Sequence, residues 1–285
     1  MTPPELLAYR DDASQANTPG WTLRVVPNKF PAVISKGIVN LQAEGIYQSL
    51  DGLGAHEVII ETPQHEVSMA RLSDSQFLHI LRAYRERALA VGQDKRLRHV
   101  LIFKNQGAGA GTTLEHTHSQ LLALPIVPQI INEELAGARE YYEREKQCIF
   151  CHLIQQESEE RARVVAESED FIVICPFAPR VAFEIWLLPK RHAPRFEHAT
   201  ELEHAGLAFA LRQTLVQLKR ALDDPPLNYI IHSNQLDEIG NDFYHWHIEI
   251  LPRLTQLAGF EWGSGYYINS VAPEDAVRVL REALP

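Results

Sequence analysis

The chain contains one pattern of histidines twice, and this repeat constrains its fold more than any other feature. Residues 116–120 read HTHSQ and residues 245–249 read HWHIE, and apolar residues and a proline follow each copy. Each copy also has an asparagine eleven residues before its first histidine. Earlier segments that end at His65 and His192 match as well, so the offset is 129 residues for the HxH pair and 127 residues for the earlier pair. Three collinear matches at nearly one offset predict a duplicated α+β unit.

The order of secondary structure predicted from hydrophobic periodicity is the same in the two halves. Residues 73–91 have the i, i+3, i+4 spacing of an amphipathic helix, and Ser73 is its expected N-cap. The predicted strands are 21–26, 56–61, 100–103, 116–120, 171–174, 181–188, 229–232 and 245–251, and the predicted helices are 73–91, 133–146, 200–222 and 273–283. We expect residues 1–20 to be irregular and the two halves to be residues 1–135 and residues 136–285.

Residues 105–125 combine a glycine-rich loop with a short extended segment that carries two imidazoles. Side chains alternate along a strand, so His116, His118 and Gln120 are expected on one face. The glycines allow backbone N–H groups to approach an anion closely, and an imidazole can then attack phosphorus. A single HxH would instead favour a polar strand edge with both histidines in solvent. Because the pattern occurs twice, we favour a phosphate-ester site.

Two cysteines at metal-binding spacing open the second half. Cys148 and Cys151 form one side of a tetrahedral zinc site, which needs two more ligands. His192 and His245 are the candidates that the second half supplies. The alternatives are a pair of free thiols or a redox pair, which the same spacing also fits. Cys175 has no partner at metal spacing, and we expect it to be a small buried apolar residue.

Charge and apolar pattern exclude several classes of protein. The 285 residues have a net charge of −10, which argues against a general binder of nucleic acid or of acidic membranes. Any phosphate site must then rely on backbone dipoles and neutral donors. No apolar run is long enough to span a bilayer and no signal peptide opens the chain. Three cysteines suit a reducing compartment, so a cytoplasmic protein is expected.

Five segments carry a resemblance to a known family. They are NQGAGAGTTLEHTHSQ, CIFC, PKRH, YHWHIEILPRL and FEWGSGYYINSVAPEDAVRVLR. Together they resemble the galactose-1-phosphate uridylyltransferase family of the histidine-triad (HIT) superfamily, over nearly the whole chain. HTHSQ followed by LLALP is more similar to the branch that includes plant ADP-glucose phosphorylase than to members with HPHxQ. The resemblance implies an α+β fold of two tandem HIT-like units, each an antiparallel sheet with a long helix.

The resemblance also implies a transferase of galactose metabolism that moves a nucleoside monophosphate through a covalent nucleotidyl-histidine. His118 would be the nucleophile, and Gln120 would hold the non-bridging phosphate oxygens. A structural zinc and a homodimer, in which the partner contributes to the nucleotide pocket, are implied as well. The implied residues are His118, Gln120 and His116 for catalysis, Asn28, Phe30, Asn105, Gly111 and Thr113 for substrate binding, and Cys148, Cys151, His192 and His245 for zinc.

Three departures from the family pattern bear on these expectations. This branch usually has another C-x-x-C, which completes a second zinc site with counterparts of His65 and His116. The sequence lacks it, so one zinc is expected, and the pattern leaves open whether the second site is lost or lies upstream. Lys29 replaces an acidic residue that holds the ribose in other members. Glu249 occupies the position of Gln120 in the second half, where its charge would repel phosphate, so only the first half is expected to be catalytic.

Several functions are compatible with these residues. We expect UDP-glucose and galactose 1-phosphate as substrates, since that activity is the commoner one in the family. ADP-glucose phosphorylase and dinucleoside polyphosphate phosphorylase or hydrolase are the enzymatic alternatives. A zinc-bound nucleotide-binding scaffold that has lost catalysis is the non-enzymatic alternative, and the intact pair of His118 and Gln120 argues against it.

Overall fold

The computed structural model describes residues 3–11, 13–65, 68–237 and 242–283. Within this part of the chain, most strands form one large sheet and the remaining two form a hairpin. The strands are β1 (Leu7–Arg10), β2 (Trp21–Pro27), β3 (Leu41–Glu44), β4 (Tyr47–Leu50), β5 (Ala55–Ile60), β6 (His99–Gln106), β7 (His118–Leu124), β8 (Val164–Glu167), β9 (Phe171–Ile174), β10 (Ile185–Pro189), β11 (Leu227–His232) and β12 (His247–Pro252). The helices are α1 (Asp74–Val91), α2 (Gln129–Glu145), α3 (Ile149–Glu160), α4 (Glu201–Leu222), α5 (Gly259–Ser264) and α6 (Pro273–Glu282).

The large sheet is antiparallel and continuous through both halves of the chain. Its strand order is β1-β2-β5-β7-β6-β11-β12-β10-β9-β8, so each half supplies one end of the sheet. At the junction β6 pairs with β11, and Phe103 lies opposite Ile230. Each half also contains one long helix, α1 in the first and α4 in the second. The expected α+β fold with antiparallel strands is therefore confirmed.

The long helices cover one side of this sheet, which we call the back face. Ser73 caps α1 by accepting a hydrogen bond from the backbone N–H of Gln76, as expected from the sequence. Thr200 and Glu203 form a capping box at the start of α4. Buried residues of α1, α4 and α6 join those of the sheet in one apolar cluster that includes both halves. The two halves therefore share a core on the back face.

The opposite side of the sheet, the front face, is covered by helices only in the second half among the described residues. Ile131 and Leu135 of α2 and Phe150 of α3 pack in a second apolar cluster, together with Ile172 and Leu188 of the sheet. In the first half, most front side chains of β5, β6 and β7 are half-buried rather than covered, and His99 at the start of β6 is a buried exception. A ligand can therefore reach the front face in the first half alone.

Some sequence expectations on the elements are wrong. Residues 1–20 are not wholly irregular, because β1 pairs with β2 and Leu7 lies opposite Val25. The strand expected at 116–120 begins only at His118, and that expected at 181–188 begins at Ile185. The hairpin of β3 and β4 and the helix α3 were not expected. The exposed hairpin shows no alternation of buried residues. The helix α3 does have helical spacing, at Phe150, Leu153 and Ile154, and this signal was missed.

Candidate functional site

His118 and Gln120 lie on the open front face at the centre of the first-half strands. In β7, His118 is opposite Ile60 of β5, and Gln120 is opposite Val58. On the other side Gln120 is opposite Phe103 of β6. Because side chains alternate along a strand, Thr117 and Ser119 point to the back face, where both are buried. The expected separation is therefore confirmed for His118 and Gln120 on one face and for Thr117 and Ser119 on the other, but not for His116.

The imidazole of His118 is held in one tautomer by the backbone. Its Nδ1 lies 2.8 Å from the carbonyl oxygen of His116. A carbonyl oxygen only accepts, so Nδ1 carries the proton and Nε2 keeps its lone pair. The ring is therefore oriented with a nucleophilic nitrogen available on the front face.

His116 lies outside the strand and is held separately. Its Nε2 donates to the carbonyl oxygen of Thr62 at 2.7 Å. Its ring packs edge-on against His65, with centroids 5.6 Å apart. His65 is exposed and lies 3.8 Å from Glu115. His116 therefore orients the segment that enters β7, and its free nitrogen faces away from Thr62.

The glycine-rich loop between β6 and β7 is tightly turned against the second half. Gly107 has φ of 81° and Gly111 has φ of 87°, both in the left-handed region that favours glycine. A Cβ on Gly107 would lie 3.1 Å from Pro226. A cavity of about 420 Å³ is lined by this loop, including Thr113, and by Pro225 and Pro226. The loop therefore borders a space large enough for part of a ligand.

The side-chain amides of Asn105 and Gln120 are anchored by their oxygens. Asn228 of β11 donates to Asn105 Oδ1 at 2.8 Å and to the carbonyl oxygen of Ala110 at 2.9 Å. His56 Nε2 lies 2.8 Å from Gln120 Oε1. Within the described chain, neither amide nitrogen has a protein acceptor. Both amides therefore present hydrogen-bond donors to a ligand.

Asn28 and Phe30 lie beside this site, after β2. The backbone N–H of Phe30 donates to Asn28 Oδ1 at 2.9 Å, which turns the chain sharply. The ring of Phe30 is 81% exposed. Asn28 and His56 line a second cavity of about 420 Å³. An exposed aromatic ring beside such a cavity is suited to stacking on a base.

The four residues expected to bind zinc come together in a second site. Their ligand atoms all lie within 4.8 Å of one another. Cys151 Sγ lies 3.3 Å from His192 Nδ1 and 3.6 Å from His245 Nδ1. In a tetrahedral zinc site with two sulfur and two nitrogen ligands, sulfur and nitrogen atoms lie about 3.6 Å apart. The separations therefore fit a zinc ion.

The protonation of these residues also fits a metal. His245 Nε2 donates to the carbonyl oxygen of Pro189 at 2.7 Å, which leaves Nδ1 with its lone pair. A hydrogen bond with Cys151 lowers the pKa of the Cys148 thiol, and His192 and His245 lower it further. The pKa of Cys151 is raised because its thiol donates to Cys148 and is partly buried. The four residues therefore offer at least one thiolate and one neutral imidazole as ligands for a cation.

Comparisons with known proteins identify the family. The N-terminal domain of galactose-1-phosphate uridyl transferase matches residues 12–128, and the C-terminal domain matches residues 134–258. The chain belongs to the galactose-1-phosphate uridyl transferase family. The resemblance derived from the sequence motifs is thus confirmed.

Among relatives of this family member, the ADP-glucose phosphorylase of Arabidopsis thaliana is 36% identical over 98% of this chain and 78% of its own length. The galactose-1-phosphate uridylyltransferase of Thermotoga maritima is 28% identical over 86% of this chain and 79% of its own length. These matches support a nucleotidyltransferase-type enzyme.

Solved structures agree with this assignment. The crystal structure of an ADP-glucose phosphorylase from Arabidopsis thaliana with bound ADP-glucose has a TM-score of 0.85 and 33% identity, over 99% of this chain and 87% of that one. A uridylyltransferase structure has a TM-score of 0.87 and 29% identity, over 93% of this chain and 86% of that one.

None of the described helices has the length and apolar composition needed to cross a membrane.

In this uridyl transferase family member, the second HxH pattern is enclosed. His247 is 1% exposed. Its ring stacks on His232, with centroids 4.8 Å apart, and lies 4.9 Å from the ring of Phe150 in α3. Glu249 forms ion pairs with Arg180 and with His232. The site that corresponds to His118 and Gln120 in the second half is therefore closed to substrate.

Charges around His247 compensate one another. Burial alone would raise the pKa of Glu249, but His232 and Arg180 hold it well below its usual range. Burial alone would lower the pKa of His232, but Glu249 and Glu134 raise it to about 10. Glu134, His232 and His247 also form a second group whose ligand atoms lie within 4.8 Å. However, Nδ1 of His232 faces Glu134 and its Nε2 faces Glu249, so both ring nitrogens donate and neither has a lone pair for a metal.

The structure brings most of the expected residues together. His118, Gln120, Asn105 and Asn28 surround the open front face. Thr113 instead lines the cavity beside Pro225 and Pro226, and Gly111 lies in the same loop. His56 was not expected there, because its contact with Gln120 depends on the register between β5 and β7. His56, Val58 and Ile60 are spaced two residues apart, which places their side chains on one face of the strand, and this spacing could have identified His56.

Proposed function

We propose that the protein transfers a nucleoside monophosphate from a nucleotide sugar to a phosphate acceptor through a covalent intermediate on His118. The observation that carries this proposal is the lone pair of His118 Nε2 on the open face, with its Nδ1 proton held by the carbonyl oxygen of His116. A neutral imidazole attacks only through a nitrogen without a proton. In this site the carbonyl oxygen of His116 binds the proton of Nδ1, so Nε2 is the attacking nitrogen.

The surrounding donors suit a phosphoryl group that gains charge. The oxygens of Asn105 and Gln120 are tied to Asn228 and His56, so their amide hydrogens remain for phosphate oxygens. These donors are neutral, which agrees with the net charge of −10. One donor placed where charge develops in the transition state typically contributes about 3 kcal/mol. The arrangement therefore favours nucleotidyl transfer over simple binding.

The reaction proceeds in two displacements. The lone pair of His118 Nε2 forms a bond to the α-phosphorus, and the bond from that phosphorus to the bridging oxygen breaks. Sugar 1-phosphate leaves with the electron pair. An oxygen of the acceptor phosphate then attacks the same phosphorus, the N–P bond breaks, and Nε2 recovers its lone pair. Because an imidazole is a good leaving group, the intermediate stays activated for the acceptor.

We further propose that zinc is bound by Cys148, Cys151, His192 and His245. When bound, the ion supplies a structural cross-link rather than a reacting group. The four residues lie at the start of α3, after β10 and before β12. They would therefore join three elements of the second half, remote in sequence from His118.

The acceptor has two candidates. Galactose 1-phosphate, with UDP-glucose as donor, corresponds to the activity expected from the sequence. Inorganic phosphate, with ADP-glucose as donor, is favoured by the 36% identity to the Arabidopsis ADP-glucose phosphorylase over 98% of the chain. Lys29, beside Phe30 near the second cavity, also departs from the acidic residue of the uridylyltransferases.

Incubation with a nucleotide sugar labelled in its α-phosphate, without acceptor, tests the proposal. UDP-glucose and ADP-glucose are used separately, and we expect one of them to leave label on His118 in a bond that is labile in acid and stable in alkali. His118→Asn should abolish labelling while the fold is retained. His198→Asn, at an exposed histidine outside the site, is the matched control and should label normally.

Addition of an acceptor to the labelled enzyme decides between the two candidates. Release of labelled nucleoside diphosphate by inorganic phosphate identifies a phosphorylase, and release as nucleotide sugar by galactose 1-phosphate identifies a uridylyltransferase. Release by water at the same rate as with either acceptor would identify a hydrolase. Label on His116 or His247, or no label from either donor, would contradict the proposed mechanism.

A further inference from the structure

We propose that His56 is a positioning residue that orients the amide of Gln120 toward the phosphate. This inference rests on the proposed function and adds to it a residue that never contacts the reacting atoms. The contact with His56 would determine which end of the Gln120 amide, the oxygen or the nitrogen, faces the substrate. The shape of the site alone does not determine this.

His56 lies diagonally across from Gln120 on the front face. Val58 of β5 is opposite Gln120, and His56 is two residues earlier, opposite Leu122 of β7. Diagonal neighbours on one face of an antiparallel pair are within reach of long side chains. The contact of 2.8 Å between His56 Nε2 and Gln120 Oε1 is such a diagonal contact.

The tautomer of His56 is determined by a backbone amide. The N–H of Ala32 lies 3.0 Å from His56 Nδ1 and donates to it. Nδ1 must then carry a lone pair, so the proton of the neutral ring is on Nε2. Nε2–H can only donate, and the atom of Gln120 that it faces must therefore be the amide oxygen.

The same tautomer excludes a hydrogen bond between Asn28 and His56. Its Nδ2 lies 3.1 Å from His56 Nε2, but both of these atoms are donors. Asn28 Oδ1 is already used by the backbone N–H of Phe30. The amide hydrogens of Asn28 therefore remain for a ligand in the adjoining cavity, while Nε2–H of His56 is committed to Gln120.

An anchor of this kind is needed because an amide can turn over. The oxygen and nitrogen of Gln120 have nearly the same size, and the terminal torsion is broad and roughly two-fold. Packing alone therefore does not choose between the two orientations. In the reversed orientation the amide oxygen would face a phosphate oxygen and repel it. The hydrogen bond from His56 selects the orientation in which both amide hydrogens face the phosphate.

Asn105 is anchored by the same principle from a different element. Asn228, on β11 of the second half, donates to Asn105 Oδ1. The two amides beside His118 thus have separate anchors, one from each half. Loss of His56 should affect Gln120 and leave Asn105 in place.

Four variants test the proposal through the rate of nucleotidylation of His118. His56→Leu removes the donor and keeps apolar bulk, whereas His56→Gln places an amide N–H near the position of Nε2. We expect His56→Leu to slow the reaction about tenfold, mainly in kcat, because the donor acts in the transition state. His56→Gln should recover most of this loss. In a Gln120→Ala background, His56→Leu should have no further effect, since its partner is gone.

His79→Leu is the matched control, since His79 is also half-buried but lies on α1 beside Tyr9. It should leave kcat unchanged, and all variants are compared at equal folded fraction by thermal unfolding. Multiplicative effects of His56→Leu and Gln120→Ala would overturn the proposal. A His56→Gln variant as slow as His56→Leu would also overturn it, because the donor would then not be the relevant property.

A second measurement does not depend on activity. The ¹⁵N spectrum of the His56 ring, assigned by its loss in His56→Gln, should show the proton on Nε2. A proton on Nδ1 would overturn the proposal even if the enzyme is active. If the wild-type protein acquires no label from either nucleotide sugar, the proposed function fails, while the tautomer still decides whether His56 orients Gln120.

Discussion

At the scale of single residues, His118 and His247 make the same hydrogen bond to the backbone but have different roles. Nδ1 of each ring faces the carbonyl oxygen two residues earlier, at 2.8 Å for His118 and 3.2 Å for His247. The neighbours differ, because His118 has Gln120 on an open face and His247 has Glu249 beneath α3. Chemistry is therefore expected at the first ring and packing at the second.

Replacement of each residue by alanine should separate these roles. Gln120→Ala should lower turnover about a hundredfold or more, with little change in stability, because it removes a donor to the transition state. His247→Ala should leave turnover of the folded enzyme largely intact. It should lower the free energy of unfolding by about 3 kcal/mol, since it leaves a cavity among stacked rings.

Turnover at 25 °C and urea unfolding of the same preparations provide the measurement. Equal and large losses of turnover in both variants would contradict a single catalytic site. A Gln120→Ala enzyme as active as the wild type would contradict the role proposed for the amide.

The residues of this site could be predicted only in part from the sequence. His118 and Gln120 are two positions apart, and the repeat of the first HxH pattern at His245 and His247 made this segment visible without a structure. His56 could not be found in this way, because its partner is 64 residues away and the contact depends on strand register. His116 precedes β7 rather than lying in it, and its side chain donates to the carbonyl oxygen of Thr62.

At the scale of secondary-structure elements, β7 is held from behind by buried polar groups. Lys104 of β6 donates to Glu61 at 2.7 Å, to Thr117 at 2.8 Å and to the carbonyl oxygen of His118 at 2.9 Å. The side chains of Lys104 and Glu61 are 1% and 0% exposed. Ser119 also donates to Glu61. These contacts fix the backbone of the strand that carries the nucleophile.

Lys104→Met should therefore be strongly destabilising. It leaves Glu61 charged and buried without its cation, which typically costs about 3 to 5 kcal/mol. The double variant with Glu61→Gln should recover much of that loss, because the unpaired charge is then removed. Lys219→Met, which breaks a partly exposed pair with Asp224, is the matched control and should cost less than about 1 kcal/mol.

Urea midpoints of the wild type, Lys104→Met, Glu61→Gln, the double variant and Lys219→Met measure these effects. A Lys104→Met variant as stable as the Lys219→Met control would show that the buried pair does not support β7. A double variant that loses as much as the sum of its single substitutions would show that Lys104 and Glu61 act independently.

Elements with strong periodicity were predictable from the sequence, and isolated ones were not. The helix α1 and its cap at Ser73 agree with the pattern, as does the strand Phe171–Ile174. In contrast, β1 has uniform intermediate burial and owes its conformation to pairing with β2. The hairpin of β3 and β4 is largely exposed, so no alternation of apolar residues marks it. Apolar sequence pattern predicts elements that bury apolar side chains, and tertiary pairing creates the others.

At the scale of the whole molecule, the proposed zinc site ties the helix α3 to two strands that pair in the sheet, β10 and β12. Cys148 and Cys151 lie at the start of α3, His192 follows β10, and His245 precedes β12. We expect one tightly bound zinc per chain. Cys148→Ser should lose the metal and lower the free energy of unfolding by about 3 kcal/mol or more, because binding stabilises only the folded state.

Metal analysis and thermal unfolding check this expectation. Cys175→Ser is the matched control, since burial raises the pKa of the Cys175 thiol to about 12 and the residue is not part of the cluster. It should keep the zinc. A value of zero or two zinc ions per chain in the wild-type protein would contradict the proposed site.

The helices α2 and α3 have one further consequence. They form the link between the two halves, and they lie over the front face that would otherwise hold a second ligand. In a chain with two HxH patterns, the segment that connects them can thus cover one of the two sites while its histidines are retained. The number of HxH patterns in such a chain is therefore larger than the number of nucleotides that it binds. A titration with nucleotide should give one bound nucleotide per polypeptide.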